Sequence, residues 1–191
     1  RFFGEGSGHS KRQLELVRAF RTMVEQGLEG WRLVLIGGCS GKDREYAMAV
    51  RREAEGLPVE VRLSAPGSVV DAHLAAASVY WHGAGYGSDL ERYPDRAEHF
   101  GIAPIEAMSA GAVPVVFDAG GPASVVRREV DGLRWRTLDD LAAQTWRLVC
   151  DDALRARLAA SAAERAATFA AERCEQHIRD TVAEMAAETP R

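Results

Sequence analysis

Asparagine is absent from the 191-residue chain, and lysine occurs only at Lys11 and Lys42. Without asparagine the chain has no N-glycosylation site. The net charge of −4 gives no basic excess of the kind that nucleic-acid-binding proteins carry. No apolar run approaches the roughly 18 residues that cross a bilayer. Because 47% of the residues are hydrophobic and 27% are charged, the composition predicts a soluble, compact domain rather than a disordered chain.

The three cysteines are far apart and form no Cys-x-x-Cys pair. This spacing argues against a disulfide framework or a cysteine zinc site and favours a reducing cytoplasm. We interpret Cys39, Cys150 and Cys174 as buried structural thiols. The histidines have no metal-ligand spacing either; they are His9, His73, His82, His99 and His177.

Hydrophobic periodicity predicts strands that alternate with helices. The expected strands are 31–36, 59–63, 78–82, 113–117 and 133–135. The loops after Phe3, Ile36, Leu63, His82 and Phe117 are the expected positions for a ligand. The expected helices are 11–26 (N-cap Ser10, terminator Gly27), 43–55, 69–77, 105–110, 123–128 and three Ala-rich C-terminal helices at 138–149, 152–167 and 171–187. This order predicts one α/β domain with a doubly wound, Rossmann-like parallel sheet, in which ligands bind outside the carboxyl ends of the strands.

Two glycine-rich segments fail as nucleotide motifs. Ile36-Gly-Gly-Cys-Ser-Gly-Lys42 has Ile at the first Walker A position and Asp43 at the last. Gly4, Gly6 and Gly8 miss the dinucleotide spacing because His9 stands where the third glycine is needed. The first segment is better explained as a strand-to-helix turn.

The segment from Gly83 to Ala97 shows no periodicity. An irregular loop of this length is usually functional or disordered, and a lid over a ligand site is one hypothesis for it. Hydrogen exchange with and without ligand would test the lid.

The segment 98–115 has the densest chemical signal. Pro104 is expected at the first position of a helix, where its missing N–H costs nothing. The backbone amides of Phe100, Gly101 and Ile102 then face outward at a positive helix end, which is a natural anion site. Gly101 allows the backbone to approach a ligand closely.

Two carboxylates bracket this loop, and each has two interpretations. Glu106 either closes the helix start as a capping-box residue or contacts a ligand. Glu98 is either a solvated loop charge or a ligand-binding group. The local sequence leaves both pairs of alternatives open.

The pattern Glu98, seven residues, Glu106, then Ala-Met-Ser-Ala-Gly-Ala-Val-Pro-Val resembles the signature of retaining family-4 (group 1) glycosyltransferases of the GT-B fold. Arg1 to Lys11 resembles the segment that opens their donor-binding domain, and Asp131-Gly-Leu-Arg-Trp also fits. The resemblance spans nearly the whole chain. It implies that residues 1–191 form the donor-binding domain, with the acceptor-binding N-terminal domain lying outside them.

The resemblance also implies roles for individual residues. Glu98 is the catalytic residue that holds hydroxyls of the donor sugar, and Glu106 accepts hydrogen bonds from the ribose. Arg1 and Lys11 form a cationic pair on the diphosphate. The remaining donor-binding positions are the amides of Phe100, Gly101 and Ile102, the small residues Gly120 and Gly121, and the loop 63–66 near the base.

The implied reaction transfers a hexose from a nucleoside-diphosphate sugar to a glycan or lipid-linked acceptor, without a metal or cofactor. Fixed cations and amide dipoles stabilise the departing diphosphate, so such a site can work without a metal ion. The implied location is cytoplasmic, with the acceptor domain at the inner face of the membrane in cell-surface glycan synthesis. The isolated chain is expected to be inactive.

The sequence also departs from the family pattern and leaves alternatives open. Ser124 stands where many relatives have Glu, so any contact of that glutamate is missing here. A nucleotide-sugar epimerase and a non-catalytic nucleotide-binding module of the same fold remain alternatives. A pyridoxal-phosphate phosphorylase is disfavoured because Lys42 is the only lysine besides Lys11.

Overall fold

A computed structural model of the chain describes residues 11–188, which alternate between helices and parallel strands. The strands are β1 (Leu33–Gly37), β2 (Val59–Leu63), β3 (Val79–His82), β4 (Val113–Phe117) and β5 (Leu133–Trp135). The helices are α1 (Gln13–Glu25), α2 (Arg44–Glu53), α3 (Gly67–Ala76), α4 (Ile102–Ser109), α5 (Gly120–Val125), α6 (Leu138–Cys150), α7 (Asp152–Ala167) and α8 (Ala171–Glu188). Every strand pair in this part of the chain is parallel, which confirms the predicted α/β class.

The element ends differ from the predictions where capping decides them. The N-cap of α1 is Arg12, which has a left-handed φ of 58° and no capping side-chain hydrogen bond. The expected N-cap, Ser10, is therefore wrong, and it lies outside the described residues. At the other end Gly27 has a φ of 95° and donates its amide to Val24 O at 2.9 Å, as expected of a helix terminator.

Strand β4 is the centre of the core because helices cover both of its faces. Val113 and Val115 pack in one cluster with Leu16 of α1 and Leu141 of α6. Val116, the next residue, points to the opposite face and packs with helices α4, α5 and α7. Alternate residues of a strand point to opposite faces, so the apolar run 113–117 encodes a strand that is buried on both sides.

The five described strands form two sheets rather than one. Strands β1 and β2 form the first sheet, and the second has the order β3-β4-β5. A cavity of about 480 Å³ lies between β1 and β3 and is also lined by helices α1 and α3. At the carboxyl ends of the strands this cavity reaches the candidate site.

The prediction for the cysteines is wrong in part. Cys150 is exposed at the end of α6, and Cys39 is half-buried in the turn after β1. Cys150 is at the end of the amphipathic helix α6, where a solvent-facing position needs no apolar side chain. The Cys174 side chain lies outside the described part. No helix within residues 11–188 combines the length and apolar character needed to cross a membrane.

Candidate active site

Four polar side chains from distant parts of the chain line one end of the cavity. They are Lys11, His82, Glu98 and Glu106. Lys11 lies two residues before α1, and His82 is the last residue of β3. Glu98 lies in the loop before α4, and Glu106 lies within that helix. The parallel topology brings them together because the carboxyl end of β3 and the loops beside it meet at one edge of the sheet.

Lys11 and Glu98 form an ion pair across 87 positions of sequence, with Lys11 Nζ donating to Glu98 Oε2. Their side chains are 36% and 25% exposed, so water screens the pair only in part. His82 and Lys11 lower the pKa of Glu98 to about 2, against the opposing effect of its partial burial. Glu98 is therefore a carboxylate throughout the neutral pH range.

His82 is a site residue to which the sequence alone assigned no role, although the loop that follows it was an expected ligand position. Its side chain is buried, and its Nε2 lies 3.9 Å from Glu98 Oε2. Burial lowers the pKa of His82, and the Lys11 charge lowers it further, whereas Glu98 acts in the opposite direction. A polar residue that ends an otherwise apolar strand was the available signal, because such a residue sits where ligands bind in this fold.

Tyr80, two residues before His82 on β3, also lines the cavity. Burial raises the pKa of its hydroxyl, and the carboxylates of Glu106 and Glu98 raise it further. Tyr80 therefore stays protonated and keeps a hydrogen to donate at physiological pH.

The N-terminus of α4 lies earlier than predicted. The helix begins at Ile102, so Pro104 is its third residue rather than its first. Proline fits there too, because the first-turn amides have no acceptor within the helix. The N-cap is Gly101, with a left-handed φ of 93°, which favours glycine. Phe100 and Ile102 are 50% and 66% exposed, whereas Gly101 between them is buried, so a ligand can reach this helix start at Phe100 and Ile102.

Glu106 is not a capping residue. The capping-box position is the third helical residue, which is Pro104, whereas Glu106 is the fifth. The side chain is exposed and lines the cavity. The structure removes the capping interpretation and leaves Glu106 as a group that faces the cavity.

Gly120 and Gly121 pack against the backbone of the Glu98 loop. The Gly121 amide donates to Glu98 O at 2.8 Å. A Cβ on Gly121 would lie 2.5 Å from Phe100 Cα, and one on Gly120 would overlap Glu98 O. Both glycines line a second cavity of about 510 Å³, which also contacts Glu98 and Phe100. The structure gives them a role beyond small-residue access, since they hold the loop that carries Glu98.

The segment 83–97 is irregular but packed at its start. Gly83, Ala84 and Gly85 are buried, and the Tyr86 ring packs on Phe117 and Trp135 with centroids 5.7 and 5.1 Å away. A short 3₁₀ turn follows at Pro94–Arg96. The lid stays a prediction, and only the part after Tyr86 lacks this aromatic anchor.

Several predicted ligand-binding positions do not line the 480 Å³ cavity in the described structure. Phe100, Gly120 and Gly121 line the second cavity instead, and Gly101 and Ile102 line neither of the two. The turn after β2 is absent from the cavity lining among residues 11–188, and the following helix α3 lines it instead, through Val70, His73 and Leu74. Arg1, the predicted partner of Lys11 on the diphosphate, lies outside the described residues.

Comparison with known proteins now decides the family. The family model described as "Glycosyl transferases group 1" matches residues 6–165. The chain belongs to the group 1 glycosyltransferase family. The matched range includes Lys11, His82, Glu98 and Glu106, so every described residue at this end of the cavity lies within the family region.

Among curated relatives, the chain is similar to the GDP-Man:Man(3)GlcNAc(2)-PP-Dol alpha-1,2-mannosyltransferase of Xenopus laevis. The two are 29% identical over 113 residues, which is 56% of this chain and 21% of the relative. It is also similar to the D-inositol 3-phosphate glycosyltransferase of Rhodococcus jostii, at 28% identity over 162 residues, or 81% of this chain and 33% of the relative. The chain therefore spans about a fifth to a third of the length of these relatives.

Among solved structures, Anabaena HepE in complex with UDP aligns with a TM-score of 0.74 at 22% identity, covering 91% of this chain and 45% of HepE. Sucrose-phosphate synthase from Thermosynechococcus elongatus aligns with a TM-score of 0.72 at 22% identity, covering 94% and 43%. These similarities show that this group 1 chain has the fold of GT-B glycosyltransferases.

Proposed function

We propose that this chain is the donor-binding part of a retaining hexosyltransferase and binds a nucleoside-diphosphate sugar at the carboxyl end of β3. The observation that carries the proposal is the meeting of Lys11, Glu98 and Glu106 in one cavity beside the exposed N-terminus of α4. A cation, an open helix N-terminus and two carboxylates match the diphosphate and the two sugars of such a donor.

The proposed reaction breaks the bond between the anomeric carbon and the diphosphate oxygen, and negative charge develops on that oxygen. The anomeric carbon forms its new bond to a hydroxyl oxygen of the acceptor, and the proton of that hydroxyl goes to the departing diphosphate. Lys11 and the amides of Gly101 and Ile102 stabilise this charge, because they are fixed donors at a partly enclosed site. No metal ion takes part in this proposal, since the chain supplies a cation and a helix N-terminus for the same task. When the donor fills the cavity it displaces water, and this limits hydrolysis of the donor.

The two carboxylates orient the two sugars of the donor. Glu98, kept ionised by His82 and Lys11, accepts hydrogen bonds from hydroxyls of the transferred hexose. Glu106 accepts hydrogen bonds from the ribose. A carboxylate is an acceptor only, so it binds the hydroxyl-rich face of a sugar without competing for acceptors.

The relatives support a hexose donor but two different bases. The Xenopus relative is named for GDP-mannose, and HepE was solved with UDP-glucose. The acceptor side is proposed to come from a preceding domain, because the chain covers less than half of the aligned structures. That domain would bind a glycan or lipid-linked acceptor at the cytoplasmic face of a membrane.

A ligand panel tests the donor proposal. We expect at least one of UDP, GDP or ADP, or a hexose derivative, to raise the thermal midpoint (Tm) with a dependence on ligand concentration. Binding is expected to be weak and sugar transfer negligible for this chain alone. Lys11→Ala should weaken nucleotide binding by about tenfold or more, the value of one charge-assisted hydrogen bond.

Lys42→Ala is the matched control for Lys11→Ala, because it removes the chain's other lysine, which is exposed on the turn after β1. It should leave nucleotide binding unchanged. A panel in which no nucleotide shifts Tm would contradict the proposal. Release of free nucleotide from the nucleotide sugar without any acceptor would instead indicate the epimerase alternative.

Glu106→Ala distinguishes ligand binding from helix stabilisation. Because Glu106 is exposed and is not at the capping position, we expect Tm to change by less than about 2 °C. Calorimetry with the nucleotide chosen from the panel should show binding weakened by about tenfold through the lost ribose contact. A large fall in Tm with unchanged affinity would restore a structural role for Glu106.

A further inference from the structure

His82 is buried without a hydrogen-bond partner on its ring. The side chain is 6% exposed at the end of β3, and Trp135 Nε1 fixes the backbone there by donating to His82 O at 3.1 Å. Within residues 11–188, neither His82 Nδ1 nor His82 Nε2 has a hydrogen-bond partner. Buried polar atoms in native proteins are nearly always paired. We therefore expect a nitrogen of this ring to form a hydrogen bond when the site binds its ligand.

Glu98 Oε2, the nearest candidate for that partner, already accepts a hydrogen bond from Lys11. Lys11 Nζ donates to Glu98 Oε2, and the same oxygen lies 3.9 Å from His82 Nε2. That separation is about 1 Å too long for a hydrogen bond. Lys11 and His82 thus face one carboxylate oxygen: Lys11 holds it through a hydrogen bond, and His82 Nε2 lies near it without one.

The ring has the right chemistry to replace Lys11. Burial and the Lys11 charge lower the pKa of His82, while Glu98 opposes them, so the ring is neutral at physiological pH. A neutral imidazole carries one N–H, and the tautomer with hydrogen on Nε2 can donate to Glu98.

We infer that His82 is a positioning residue for Glu98, whose Nε2–H replaces Lys11 on Glu98 Oε2 when the diphosphate of a donor draws Lys11 away. The inference rests on the proposed function, because it needs an anion that competes for Lys11. It follows that Glu98 keeps one oxygen anchored in both states. The other oxygen is then held in place for hydroxyls of the donor sugar.

Substitutions at His82 separate positioning from a merely structural role. His82→Leu should weaken binding of the nucleotide sugar by about tenfold, the loss of one charge-assisted hydrogen bond. Binding of the nucleoside diphosphate alone should be weakened less than binding of the nucleotide sugar. The diphosphate draws Lys11 away in both cases, but only the sugar contacts Glu98. Both affinities are measured on this chain by NMR titration, with the nucleotide that binds best in the panel.

The matched pair His82→Gln and His82→Asn provides the conservative rescue. The glutamine amide nitrogen lies about as far from the backbone as Nε2, whereas the asparagine amide reaches only the position of Nδ1. His82→Gln should therefore keep sugar affinity within about threefold of the wild type, and His82→Asn should lose it as His82→Leu does. Both variants are polar and similar in size, so this comparison holds even if His82→Leu fails to fold.

A double-mutant cycle with Glu98→Ala completes the test. In the Glu98→Ala background, His82→Leu should cause no further loss of sugar affinity. A loss that persists there, an equal loss for both ligands, or equal behaviour of the Gln and Asn variants would overturn the inference. If the wild-type chain binds none of the nucleotides, the proposed function fails and the inference fails with it. Wild-type binding that His82→Leu leaves intact overturns the role of His82 alone.

Discussion

Replacing Gly121 by alanine is expected to destabilise the protein and to disrupt the Glu98 loop together. A Cβ at this position would lie 2.5 Å from both Phe100 Cα and Phe100 O and would overlap His99 O. These atoms belong to backbone, so the clash cannot be relieved by turning a side chain. The Gly121 amide also donates to Glu98 O at 2.8 Å, and any shift of the loop breaks that bond.

The expected cost of Gly121→Ala is about 1–3 kcal/mol in the free energy of unfolding, as for overpacking of a well-packed interior. In a chain of this size that lowers Tm by roughly 2–12 °C. Nucleotide-sugar affinity should fall with it, because the clash moves the loop that carries Glu98. Thermal unfolding followed by circular dichroism and an NMR titration measure the two effects.

Gly67→Ala is the matched control for Gly121→Ala. Gly67 begins α3, and no heavy atom lies within 4 Å of where its Cβ would be. Alanine there should leave Tm unchanged or raise it slightly, because alanine favours the helix. If Gly121→Ala behaved like Gly67→Ala, the Glu98 loop would not depend on close packing against α5.

Glu98→Ala is expected to reduce nucleotide-sugar affinity more than any other substitution at the site. It removes a carboxylate that stays ionised and is proposed to accept at least two hydrogen bonds from the donor sugar. Two such bonds correspond to about 3 kcal/mol, or roughly 100-fold in affinity. Glu60→Ala is the control, since Glu60 forms an exposed ion pair with nearby Arg62 and its loss should leave affinity unchanged.

The charge of Glu98 also predicts a pH dependence of stability. Because its pKa is about 2 in the folded chain, below the ordinary value of 4.5, Glu98 stabilises the folded state fully above pH 4.5. That contribution disappears as the pH falls towards 2. At pH 7 the free energy of unfolding of the wild type should exceed that of Glu98→Gln by about 1–2 kcal/mol. This is less than the pKa difference alone would give, because Glu98 is a quarter exposed and water screens its charge.

The comparison is made by denaturant unfolding of both proteins between pH 7 and pH 2.5. We expect the difference to stay constant down to about pH 4.5 and to narrow below it. A constant difference across the whole range would show that the Glu98 carboxyl is not held ionised by His82 and Lys11.

The sequence predicted the alternating architecture because its strands are short apolar runs bounded by glycine and proline. The ranges 59–63, 113–117 and 133–135 agree with β2, β4 and β5. The ends of helices were less predictable. The α4 helix starts at Ile102 because Gly101 adopts a left-handed conformation. The sequence favoured a later start, because proline is typical of the first helical position and Pro104 is two residues further on.

The motif around Glu98 and Glu106 indicated the family, but not how the groups meet. Local spacing left capping and ligand binding open for Glu106, and the observed helix start removed capping. The ion pair between Lys11 and Glu98 joins residues 87 positions apart, and no local pattern encodes such a contact. The predicted buried state of Cys150 was wrong because residue type alone does not show which face of a helix meets solvent.

By itself, then, the sequence determined the α/β class, most strand positions and the identity of the charged residues in the family motif. These features follow from periodicity, turn residues and spacing, which act over a few neighbouring positions. Only the tertiary structure decided that His82 faces the Lys11–Glu98 pair and that Gly120 and Gly121 support the loop beneath it. Those relations depend on parallel strands ending at one edge, which brings distant parts of the chain within a few ångströms of each other.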